Sequence, residues 1–229
     1  MSMRLAVPKD GRHRTKQEFV YQTLRDAIVR CELAPDERLV IDDLARRLEV
    51  SSIPVREALQ LLQSEGLVVT VPHVGTTVAP VSRESIAEVF TVLEGLEIVA
   101  TRTAAQRATA ADLEALGRTV ERMDEALAVG AHEQWAELNT RFHAGIGRLT
   151  GMPMLEEMME RVLGRWDRIR RFFFTGVLVH RVDHAQQEHH ALLDAMRGQD
   201  WPRLEETIRE HNRGAMAAYT SYLDAQRVD

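Results

Sequence analysis

Asp42–Gly66 reads DDLARRLEVSSIPVREALQLLQSEG. In its front half, Leu44-Ala45-Arg46-Arg47-Leu48 places Leu44, Ala45 and Leu48 on one face of a short helix. A break at Glu49-Val50-Ser51 follows. Ser51 or Ser52 can cap a second helix, and Pro54 is tolerated in a first turn that needs no donor. The second helix has Val55, Leu59 and Leu62 at core spacing and leaves Arg56, Gln60 and Gln63 on other faces. Two helices joined by a tight turn form a helix-turn-helix. The major groove of DNA admits one such helix, whose N-terminal side chains reach base edges, and Ser51, Ser52 and Arg56 are so placed.

Paired short helices occur in many proteins, and the residues that follow favour the DNA reading. Val68–Val71, the turn residues Pro72–Gly75 and Thr76–Ala79 read as a two-stranded hairpin, the wing of a winged helix-turn-helix. Upstream, Phe19, Val20, Leu24, Ala27 and Ile28 recur at helical spacing between Thr15 and Arg30. Arg38 lies in a short extended link, close enough to touch a phosphate or base; its alternative role is an exposed ion pair with Asp42 or Asp43. Residues 1–14 have no periodicity. With Arg4, Lys9, Arg12 and Arg14 against Asp10, and Lys16 just beyond, they are expected to form a flexible basic arm for phosphates or a solvated tail.

A net charge of −6 over 229 residues sits oddly with DNA binding until it is divided. Residues 1–80 carry 11 basic and 11 acidic side chains, and residues 81–229 carry 18 and 24. The excess acid therefore belongs to the second part. A lone cysteine, Cys31, excludes an intrachain disulfide. No apolar run reaches the roughly 18 residues of a membrane span, and the N-terminus has no apolar signal core, so a cytoplasmic location is expected.

From 82 to 229 no strand is expected. Helical patterns run over 83–108, 110–129, 132–149, 154–175, 181–197 and 201–226, with breaks at Gly130, Gly151-Met152-Pro153 and Gly198-Gln199-Asp200. The fold class is mainly α: a winged helix-turn-helix at 15–81, then an all-α antiparallel bundle of about six helices at 82–229. On the bundle's inward faces, Asn139 and His143 are four apart, His189 lines up with Leu192, Leu193 and Met196, and His211 with Leu204, Ile208 and Ala215. Three imidazoles and an amide oxygen could converge on a divalent transition ion, since imidazole suits zinc, nickel, copper or iron, with zinc or nickel favoured; each histidine taken singly reads more readily as a satisfied core or surface residue than as a ligand. Three readings stay open on the residues alone: a metal-binding regulator, a metal-dependent hydrolase, and a metal-free scaffold with core histidines. Phe172–Phe174 and Trp166 read as core or dimer-contact residues, and Arg165, Arg168, Arg170 and Arg171 as a solvated face.

Val20–Val81, and PVREALQLLQSEGLV within it, resembles the winged helix-turn-helix of GntR-type bacterial transcription regulators. The remainder is similar to the helical FCD ligand-binding domain of the FadR subgroup, through Asn139-Thr140-Arg141-Phe142-His143, Glu188–Ala195 and the late His211. Six helices place it with the VanR-like branch. The resemblance implies a homodimeric regulator, a repressor in this reading, that binds a palindromic double-stranded operator and releases it when a small organic acid enters the helical domain. It implies Asn139, His143, His189 and His211 as metal ligands and Arg38, Ser51, Arg56 and the wing-tip Gly75 as DNA contacts; the effector residues stay unknown. This chain also departs from the family pattern. Ser52 stands where Arg is often found, Ile53 where Thr or Ser is usual, and Cys31, Asp36 and Glu49 where glycines are common. Asn139 replaces a frequent Asp, and Leu93 an Arg that could pair with an acid.

Overall fold

The structure, a computed structural model, describes residues 15–173 and 176–226. The basic residues Arg4, Lys9, Arg12 and Arg14, and Phe174, lie outside the described residues. The chain divides into two compact units between Ser82 and Arg83. Winged helix-turn-helix and helical bundle are both present, which is the expected fold class.

In the first unit, helix α1 (Lys16–Val29) opens on Thr15, whose hydroxyl accepts from the Glu18 amide at 3.0 Å. Helix α2 spans Ile41–Arg47, starting three residues before the apolar spacing alone suggests, and α3 spans Ser52–Ser64. Strands β1 (Arg38–Leu39), β2 (Val68–Val71) and β3 (Gly75–Val78) form an antiparallel sheet of order β1-β3-β2. The third strand is the extended link around Arg38, drawn onto β3 with Arg38 opposite Thr77. The link was legible as extended but its pairing was not, because two residues carry no alternation to reveal a partner. Val20, Leu24, Ile28, Leu44, Val55, Leu59 and Leu62 close the core with Val68 and Val78 from the wing. Each contributes roughly 1.5–3 kcal/mol of apolar burial.

Three helices here end the same way. After α1, Cys31 takes φ 57° while the Cys31 and Glu32 amides bond to Ile28 and Ala27 carbonyls; after α2, Glu49 takes φ 54° with Glu49 and Val50 bonding back to Arg46 and Ala45. Gly66 at φ 69° does the same after α3. This left-handed stop favours glycine, because any Cβ crowds the backbone there. Asp36 also sits at φ 64°, so Cys31, Asp36 and Glu49 all occupy strained positions.

The second unit contains α4 (Arg83–Arg107), α5 (Ala110–Ala128), α6 (His132–Leu149), α7 (Pro153–Phe172), α8 (Val182–Gly198) and α9 (Trp201–Gln226), with a 3-10 turn at Leu178–His180 before α8. Thr109 and Asp112 close α5 with a reciprocal capping box. Helix α4 lies against α6, α7 and α9, and α8 lies against α5 and α9. That packing makes α4 central, so its inward positions are held from three sides. Phe90, Leu93, Ala100 and Ala104 fill them, and beside the buried Thr101 a charged residue, Glu97, is equally buried.

Candidate functional site

In the first unit, Ser51 occupies the N-cap position of α3 but its side chain makes no capping bond, which corrects the sequence expectation of a serine cap. Ser51 and Arg56 are exposed and Ser52 half-exposed, all on the outward side of α3, while Pro54, Val55, Ala58 and Leu59 turn inward. Arg38 does not pair with Asp42 or Asp43. Its guanidinium donates to the Val74 carbonyl at 3.1 Å, and its Nε lies 3.5 Å from where a Cβ on Gly75 would stand. Asp43 pairs with Arg46 instead. Gly75, at φ 124°, takes a backbone conformation that side-chain-bearing residues avoid, and its bareness lets Arg38 lie along the wing tip. A cationic guanidinium, a wing and a polar recognition helix thus stand on one small domain.

In the second unit, α6, α8 and α9 bring His143, His189 and His211 together, with one ring nitrogen of each within 4.8 Å of the others. His143 Nε2 lies 3.3 Å from His189 Nε2. His143 Nδ1 lies 2.5 Å from Glu97 Oε1, and His211 Nδ1 lies 2.7 Å from Glu188 Oε2. A proton on His211 Nδ1 satisfies its carboxylate and leaves the Nε2 lone pair free to bind a cation, and the ion-pair approach of His143 Nδ1 to Glu97, not aligned as a hydrogen bond, turns the His143 Nε2 the same way. Both carboxylates are themselves held. Asn212 donates to Glu97 Oε2 at 2.6 Å, and Arg181 donates to both Glu188 oxygens at 3.0 Å and to the His211 carbonyl at 3.1 Å. Gly214 makes that crossing possible, since a Cβ there would stand 2.7 Å from the Arg181 guanidinium.

Burial sets the charge of the cluster. Desolvation pushes His189 well below the usual imidazole range, and the neighbouring His211, His143 and Arg181 charges push the same way. Desolvation also lowers His211, against the opposing hydrogen bond that it donates to Glu188. For Glu97, burial favours the neutral acid but is outweighed by His143 and the Asn212 bond, so the carboxylate is favoured. Glu188 goes the same way: burial is outweighed by His211 and Arg181. His189 and His211 are thereby pushed toward the neutral form in which histidine binds metal.

The donor set fits a transition ion by a further observation. Asn139, four residues before His143, is buried, and its Oδ1 has no hydrogen-bond partner. A buried orphan carbonyl costs on the order of 1–3 kcal/mol unless something else occupies it. Three imidazoles and one amide oxygen, a donor set without soft sulfur, suit a divalent transition ion such as zinc, nickel, copper or iron. His190 points elsewhere, its Nε2 lying 3.0 Å from Asp124.

A narrow cavity of about 30 Å³ adjoins the cluster. Asn139, His143, His211 and Arg181 form polar parts of its wall, and Phe90, Leu93, Trp135, Trp166 and Tyr219 the apolar part. Trp166 therefore faces this cavity, and Phe173 is buried while Phe172 is half exposed. Of the four arginines expected on a solvated face, two depart from it: Arg170 is fully buried and paired with Asp167, and Arg168 is buried too, whereas Arg165 and Arg171 are partly exposed. Spacing from Leu163 and Trp166 already points Arg170 inward.

The comparisons with known proteins agree with both units. Residues 16–78 match the family of bacterial regulatory proteins, gntR family, and residues 88–214 match the FCD domain. The chain belongs to the GntR family of transcription regulators with an FCD domain. It is 29% identical to the HTH-type transcriptional regulator McbR of Escherichia coli (strain K12), over 73% of this chain and 76% of that protein. It is 31% identical to the Nta operon transcriptional regulator of Aminobacter aminovorans (72% and 77% covered) and 28% identical to the HTH-type transcriptional repressor GlaR of E. coli K12 (83% and 90%). Among solved structures, E. coli McbR/YncC aligns with a TM-score of 0.75 at 25% identity, covering 91% of this chain and 99% of that one. DNA binding through the winged helix-turn-helix follows from this membership. Among the described residues no helix is long and apolar enough to cross a membrane.

Proposed function

We propose that this regulator is a cytoplasmic homodimeric repressor of the VanR-like branch whose helical unit holds a divalent transition ion and a small carboxylate effector. The observation that carries the proposal is the convergence of His143, His189 and His211 beside the orphaned Asn139 oxygen. When bound, the ion supplies a Lewis-acidic site to which a carboxylate oxygen can coordinate. The protein's part is to hold His189 and His211 toward the neutral form, orient His143 and His211 through Glu97 and Glu188, and wall the cavity with aromatic rings that exclude water. With Leu93 in the α4 position, the cation on the cavity wall is Arg181. Repressor action is supported by the printed name of the relative GlaR.

A dimer and a palindromic operator follow from how little one recognition helix can read. Three or four side chains reach base edges, so selectivity needs two half-sites about one helical turn apart. Ser51, Ser52 and Arg56 supply the helix contacts, and Arg38 with Gly75 the wing contact. A hydrolase is disfavoured because Glu97 and Glu188, the acids beside the cluster, are both committed to histidine and to Asn212 or Arg181, leaving neither as a general base.

The test is metal analysis of purified, zinc- or nickel-loaded protein alongside a His143→Ala, His189→Ala double variant, with binding to the DNA upstream of its own gene measured on the same preparations. The expected result is about one ion per chain, lost in the variant. Equal metal content in both proteins would overturn the metal assignment, and absence of sequence-selective DNA binding would overturn the regulator reading independently.

A further inference from the structure

Among the described large apolar side chains of the first unit, Ile53 and Val74 are the most exposed, at 65% and 63%. They fall at the first turn of α3 and at the tip of the wing, the two places where a winged helix-turn-helix meets DNA. Ile53 shares the outward strip of α3 with Arg56, Glu57 and Gln60, at spacings of three, four and seven residues. On that strip it is the residue with no hydrogen-bonding group. Pro54 and Val55, its chain neighbours, are buried, so Ile53 cannot rotate into the core without unseating them.

We infer that Ile53 is a base-reading residue that packs its branched side chain against the 5-methyl group of a thymine in the major groove. The inference rests on the DNA-binding reading of α3. Thymine alone among the bases presents a methyl on that groove, and apolar side chains recognise it by contact. A β-branched side chain in a helix has one strongly preferred χ1 rotamer, so little freedom is lost when it docks. Because the contact carries no charge, it adds sequence discrimination without adding to the salt dependence that phosphate contacts produce.

The test removes the methyl from DNA rather than from the protein alone. Full-length protein selects its operator from a random duplex pool, each thymine of the selected site is replaced symmetrically by uracil, and dissociation constants are measured for wild type and Ile53→Ala. Losing one methyl contact is expected to weaken wild type about fourfold per half-site, equivalent to ~0.8 kcal/mol. At that position the variant should lose less than twofold, while its salt slope matches that of wild type. Retained binding of the variant to the uracil operator, at the wild-type level, shows that it is folded. Uracil effects that are the same in both proteins at every thymine, or a changed salt slope in the variant, would overturn the assignment of Ile53. A pool that yields no enriched sequence would overturn the DNA reading itself, and this inference with it.

Discussion

Glu49 turns the chain between α2 and α3 in the left-handed region, at φ 54°, and its exposed side chain has nothing to compensate the strain. A non-glycine residue there costs roughly 1–2 kcal/mol, against which glycine's extra unfolded-state freedom costs roughly 0.5–1. Glu49→Gly should therefore stabilise the protein by about 0.5–1 kcal/mol, read as a midpoint raised by a few degrees in thermal denaturation. At the cluster, Glu188→Gln keeps the side chain's shape but removes the charge that orients His211. Metal affinity should fall roughly 10- to 100-fold in competition against a chelator. Glu97 and Glu188 show what was and was not legible at this scale. Glu97 stands at helical spacing among Phe90, Leu93, Ala100 and Ala104, so an acid in the core could have been read directly. Its partner could not. Helical periodicity says which face a residue occupies, while the neighbour across that face, His143, is 46 positions away on another helix.

Elements were far more legible than pairings. The expected helices 132–149 and 201–226 correspond to His132–Leu149 and Trp201–Gln226, because each has a continuous apolar stripe bounded by glycine or by polar turn residues. The stop after α8 is instructive: the left-handed residue is Gln199 at φ 49°, not the glycine beside it. Composition located the break but not the strained position within it. The wing and α3 are two elements with separable roles, and mutations should divide accordingly. Arg38 lies over the wing tip, where it can meet phosphate, so Arg38→Ala should weaken binding about equally across sequences and reduce the salt slope by about one. Arg56 faces outward from α3, so Arg56→Ala should cost about 1–3 kcal/mol and relax preference at one base pair in each half-site. Anisotropy titrations over a salt series with matched and mutated operators separate the two outcomes.

For the whole molecule, the buried cluster ties stability to pH and, in the proposed function, to metal. His189 and His211 have depressed pKa values in the folded chain, chiefly through desolvation, whereas in the unfolded chain they titrate near the ordinary value of about 6.5. Above that value both states bind no proton at these rings and the two histidines cost nothing. As pH falls below about 6.5 the unfolded chain gains protons that the folded one refuses, so folding stability drops by up to about 1.4 kcal/mol per pH unit for each ring. Glu97 and Glu188 add a second loss at lower pH, because their folded pKa values are depressed and their unfolded forms take up protons below about 4.5. A bound ion works in the opposite sense. It binds only the folded arrangement, so at a hundred times its dissociation constant it stabilises by about 2.7 kcal/mol. Protons compete for the same imidazoles, so that contribution should shrink as pH falls through the same window. Thermal midpoints of zinc-loaded and chelator-treated protein between pH 8 and pH 5 should therefore lie well apart at the alkaline end, both decline, and converge toward the acid end. A gap that stays constant with pH would place the ion on groups other than these histidines.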